Sequence, residues 1–105
     1  TSWKYFGATP NDGNWHHLTL VLDNSSTSAT MYLDGVQSGL TGVYNSNLNL
    51  TGNTILGARF AVDTNFFIGG MDEVRIFDGA LSSNEVYQMY ASNLQKFDVI
   101  QWYYI

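Results

Sequence analysis

The chain has no cysteine, which excludes a disulfide framework, a thiolate zinc site and a cysteine nucleophile. Its chemistry therefore rests on nine Asp and Glu, two His and an aromatic content of 15%. Asp72 comes first. In the run from Phe66 to Phe77 it shares parity with Val74 and Ile76, so on a strand with those two facing a core its carboxylate points inward. An ionised carboxylate there must be paired, hydrogen-bonded or metal-bound. Glu73 and Arg75 lie on the other parity, at the spacing of a surface ion pair worth under about 1 kcal/mol. Asp72 and Glu73 are adjacent and face opposite ways, so they do not make the carboxylate pair that glycoside hydrolysis needs at about 5–9 Å. His16 and His17 are adjacent too and cannot jointly chelate a metal. His17 shares parity with Trp15 and is a candidate for a ligand-facing surface, against the commoner role of a satisfied structural histidine. Trp3, Tyr5, Tyr44, Trp102 and Tyr103 fall in or near loops and ends, where flat rings can stack on the apolar faces of sugars. Against that, aromatic residues stabilise strands and cores in any case. No HExxH, G-x-G-x-x-G, P-loop or G-x-S-x-G occurs.

The elements that must position these residues are short apolar runs separated by Asn, Ser, Thr and Gly, the pattern of an all-β chain with many turns. Leu18, Leu20 and Leu22 alternate along the run from Trp15 to Asp23, which closes at Asp23-Asn24-Ser25-Ser26. Ala29 to Leu33 is a second strand, and Asp34-Gly35 is a strong hairpin signal, because a type I′ turn needs positive φ at both central residues. Val36 to Leu40 returns antiparallel, Tyr44 to Asn53 is an Asn-rich loop or irregular edge, and Thr54 to Gly57 is a short strand. Phe66 to Phe77 is the longest strand candidate, with Gly69-Gly70 able to hold a bulge. Ser82 and Glu85 form a capping box, and Leu81 with Val86 a hydrophobic staple, at the start of one short helix near residues 83–93. Val86, Met89, Tyr90 and Leu94 make its apolar face. Residues 97–105 read as a terminal strand leading into a further domain.

At 105 residues and 45% hydrophobic, the chain is one domain with a workable core. A net charge of −5 with four Lys and Arg gives no cationic footprint for nucleic acid. No window is long and apolar enough for membrane insertion. The aromatic start at Trp3, Tyr5 and Phe6 and the strand-like end read as a piece of a longer polypeptide. Asn24-Ser25-Ser26 and Asn49-Leu50-Thr51 match the glycosylation acceptor pattern, a slight support for an extracellular site.

Four segments, in order, carry a resemblance: Trp15-His16-His17-Leu18-Thr19-Leu20, Met31-Tyr32-Leu33-Asp34-Gly35, Ile55-Leu56-Gly57, and Gly70-Met71-Asp72-Glu73-Val74-Arg75-Ile76-Phe77 running into Ala80-Leu81-Ser82-Ser83-Asn84-Glu85-Val86. Together they resemble the LamG-like jelly-roll family of the concanavalin A-like lectin/glucanase superfamily. The resemblance implies an antiparallel jelly-roll β-sandwich, of which residues 1–105 are the whole domain or its C-terminal portion. It also implies that Asp72 ligates a structural calcium, the alternative being a carboxylate that caps backbone amides without metal. The implied function is a non-catalytic carbohydrate- or protein-binding, lectin-like adhesion module of a secreted or cell-surface protein. Its partner is then a glycan or an extracellular protein. A strand-completing partner chain or a homo-oligomer would close the open edge. A fragment of a glycoside hydrolase and a ligand-free structural spacer are the other two readings; the absence of an acidic pair ranks the module above the enzyme.

Overall fold

A computed structural model describes residues 10–38, 42–43, 52, 54–58 and 65–103. The chain divides into two compact units, Thr1–Asn47 with Gly79–Ile105, and Leu48–Asp78.

The first unit holds an antiparallel sheet and one helix. Strands β1 (Leu18–Asp23) and β2 (Ser28–Leu33) pair along their full length, from Leu18 opposite Leu33 to Asp23 opposite Ser28. The turn between them is built by Asp23, whose Oδ1 accepts from Ser25 N–H at 2.9 Å and from Ser25 Oγ at 2.6 Å. Such side-chain capture of the next backbone amides is what makes Asp a turn former. Strands β3 (Val36–Gln37) and β4 (Gly42–Val43) both pair with β2, on opposite ends of the edge that faces away from β1. The Asp34-Gly35 turn has φ of 51° and 79°, positive at both central residues, as the hairpin reading requires.

Residues directly opposite one another share a face of the sheet. One face carries Leu18, Leu20, Leu22, Ala29, Met31, Leu33 and Val36; the other carries Thr19, Val21, Thr30, Tyr32 and Gln37. Leu18, Leu20 and Leu22 are 56%, 51% and 37% exposed, although Ala29 on the same face is buried, and Tyr32 is buried on the other face. Among the described residues of this unit there is one sheet layer, so the two-layer jelly roll is seen only as one antiparallel sheet.

Helix α1 (Ser83–Tyr103) begins where the capping box places it. Glu85 N–H donates to Ser82 Oγ at 3.2 Å, and Ser82 N–H donates back to Glu85 Oε1 at 3.1 Å. Val86 is wholly buried, and Met89 and Tyr90 are half-buried. The helix packs against β3 and the preceding turn. A Cβ on Gly35 would lie 2.8 Å from a ring carbon of Tyr90, so only glycine fits there. The helix also corrects the reading of the chain end: it runs on through Tyr103, where a terminal strand was expected over 97–105. Aromatic and β-branched residues there favour a strand by type, but a strand needs a neighbour to pair with, whereas a helix satisfies its backbone from its own preceding turn.

The second unit carries two further corrections. Residues 54–58 and 66–77, both read as strands, join no ladder among the described residues. Phe67 N–H donates to Gly57 O at 2.8 Å, a backbone link between the two segments. Left-handed backbone at Asn65 (φ 55°) and Glu73 (φ 53°) interrupts the strand geometry of residues 66–77.

Candidate functional site

The most densely bonded polar cluster among the described residues lies where the chain enters β1, beside the β2–β3 turn. The ring of His16 sits between two carboxylates. Its Nδ1 is 2.8 Å from Asp34 Oδ2 and its Nε2 is 2.9 Å from Asp12 Oδ1. Asp34 also accepts from the backbone N–H of His17 through Oδ1 at 2.9 Å, and its own N–H donates to His17 O at 2.8 Å. Asp12 Oδ1 further accepts from Asn14 N–H at 2.9 Å, folding residues 12–14 into a small turn. A single turn residue, Asp34, thereby ties the hairpin to the strand entrance. Left-handed φ at this position suits Asp, whose short side chain tolerates it.

The electrostatics follow from those bonds. The His16 pKa is raised, first by its bond to Asp34 and next by its bond to Asp12. Asp12 is held at about 2, first by the bond from His16 and next by that from Asn14. At Asp34 partial burial pushes the carboxyl up, but the bonds from His17 N–H and from His16 outweigh it and the net shift is downward.

His17 points the other way, as adjacency on a strand requires. Its ring lies 6.0 Å from that of Tyr90 on α1, and its Nδ1 is 3.5 Å from Thr19 Oγ1. The half-buried His17 thus packs between the entrance of β1 and α1. Trp15, between the two turns of this cluster, is 74% exposed. Strand parity along the Trp-His-His run does not tell which side stays open, so the exposure of this ring is set by the tertiary structure.

Asp72 does not point inward. It is exposed, and its Oδ1 accepts from Glu73 N–H at 2.8 Å. The inward reading assumed a paired strand, and without a ladder parity does not set burial. Glu73 and Arg75 do pair, Nη2 to Oε2, at 2.9 Å. Among the described residues, no three His, Asp or Glu converge on a possible cation. Trp3, Tyr5 and Tyr44 lie outside the described residues; Trp102 and Tyr103 fall in the last turn of α1. Of the six proposed ligand-binding residues, His17 is the one whose side chain lies among those described.

The Laminin_G_3 family of the concanavalin A-like lectin/glucanases superfamily matches residues 1–87. The chain belongs to this superfamily. The Asp34-Gly35 turn, the Trp-His-His entrance it is tied to, and the capped helix all fall within or begin within the matched span. Among solved structures, the chain is similar to an S-layer domain-containing protein (residues 221–444) from Clostridium thermocellum, at 24% identity and a TM-score of 0.65. The match covers 80% of this chain and 42% of that one, so the chain spans less than half the length of the structure it resembles. No curated protein matches it.

Proposed function

We propose that the chain is a non-catalytic recognition module of a secreted or cell-surface protein, binding glycan or protein ligands in the manner of a lectin. The observation that carries this reading is how the carboxylates are used. Asp12, Asp23, Asp34, Asp72, Glu73 and Glu85 all hold a turn, a helix cap or an ion pair. The bonds of these six carboxylates support a structural use for them over that of an acid and a nucleophile flanking a scissile bond. Superfamily membership supports the lectin-like assignment, and the likeness to an S-layer domain-containing protein supports a place at the cell surface. The leucine face of the sheet is the inner face of one layer of the superfamily's two-layer sandwich. A structural calcium at Asp72 belongs to the proposal only with further oxygens from residues outside those described.

The test is incubation of the intact protein with immobilised oligosaccharides, β-glucans included, reading both retention and new reducing ends. Retention without new reducing ends is expected. Reducing ends released would establish the glucanase reading, and neither signal, on glycans or on extracellular proteins, would leave a spacer.

A further inference from the structure

The two bonds of His16 have a requirement that no neutral imidazole meets. Neutral imidazole carries one N–H and one bare nitrogen, and an ionised carboxylate only accepts. With Asp34 at Nδ1 and Asp12 at Nε2, the neutral ring must set a nitrogen lone pair against a carboxylate oxygen on one side. Only the imidazolium donates to both at once. Among the described residues no Lys or Arg pairs with either carboxylate, so the protonated ring is the cation that answers them.

We propose that His16 is a pH-gated latch, which when protonated clasps the loop at residues 12–15 to the β2–β3 turn and when neutral lets that loop go. The two sides of the clasp are unequal, and this decides which one opens. Asp34 is held a second time by His17 N–H, and its side chain is 36% exposed. Asp12 sits on the loop, is 55% exposed, and apart from His16 is held only by Asn14 within its own turn. The neutral ring therefore keeps its proton on Nδ1 towards Asp34 and turns a bare Nε2 towards Asp12, which swings away. The groups facing the ring are Asp12 from the loop and Asp34 from the turn. His17, the next titratable neighbour, lies across the backbone against Tyr90 of α1. The freed segment is the one that presents Trp15 to solvent, so the latch controls how firmly that indole is held. The latch stands independently of whether the module binds a glycan.

The direction with pH follows from the sign of the His16 shift. Because its folded pKa is raised, the stabilisation is complete below the ordinary histidine value of about 6.5 and is lost as pH rises through the raised value.

The deciding measurement is a long-range 1H–15N NMR titration of the two imidazoles in the intact protein, with the Asn14 amide followed in the same samples. The expected result is a His16 with both nitrogens protonated at its acid plateau and a midpoint above about 6.5. The Asn14 resonance moves with the same midpoint. Asp12→Asn, at an exposed position, is expected to lower that midpoint by about half a unit, roughly a threefold loss of proton affinity. His16→Gln should abolish the pH response of Asn14. A wild-type His16 midpoint at or below the ordinary value overturns the latch without any variant having to fold, as does an Asn14 resonance indifferent to His16 ionisation.

Discussion

A single glycine and a single aspartate meet at the β2–β3 turn, and each answers to a different constraint. Gly35 supplies positive φ and empty space: its φ is 79° and a Cβ would press on Tyr90 at 2.8 Å. Gly35→Ala is therefore expected to destabilise by more than about 1 kcal/mol, read from the urea midpoint, since backbone strain adds to the clash. An unchanged midpoint would mean that α1 does not rest on the turn. Asp34 supplies acceptors, one for a backbone amide and one for a ring. Asp72 shows the same local use of a carboxylate, accepting from the amide next to it. If calcium also uses it, Asp72→Ala lowers Tm in calcium and leaves it unaltered in excess chelator. An equal shift in both leaves the bond to Glu73 N–H as its whole role.

Among the elements, α1 begins on a reciprocal cap. The Glu85 pKa is lowered, first by the bond from Ser82 N–H, so the cap's contribution is present above the ordinary Glu value and fades as pH falls below it. Ser82→Ala is expected to cost about 0.5–2 kcal/mol in the unfolding midpoint at neutral pH. No change would put the helix start elsewhere. The β2–β3 hairpin has its own pH window. Asp12, held at about 2, keeps its bond to His16 down to strongly acid solution, while His16 sets the alkaline limit. Hairpin stability, followed by circular dichroism melts across pH, should therefore form a plateau from roughly pH 4 to 6.5 and fall on the alkaline side. Asp12→Asn should flatten that alkaline fall.

For the whole molecule, the apolar side of the sheet decides whether a second layer exists. Leu20 is half exposed and sits opposite Met31. Beneath the second layer of a sandwich, Leu20→Ala in the intact protein should cost about 2–5 kcal/mol, measured by denaturant unfolding. A change within about 0.5 kcal/mol is what an open surface position gives and would overturn the sandwich. Much of this architecture was legible in the residues: the β1–β2 pairing from alternation and turn chemistry, the Asp34-Gly35 hairpin, the Ser82–Glu85 cap, the Glu73–Arg75 pair and the superfamily itself. These depend on interactions within a few residues, whose geometry the local residue types determine. What only the tertiary structure decided is longer in range. Burial of a parity needs a covering layer, so Leu18, Leu20 and Leu22 stand exposed despite their pattern. A ladder needs a neighbouring edge, so residues 66–77 join none among the described residues and Asp72 is exposed. The helix runs on through Tyr103 because its bonds close within itself. The His16 clasp was hidden for the same reason: Asp12, His16 and Asp34 are brought together by the hairpin's fold, and no spacing along the chain announces that one ring will lie between two carboxylates.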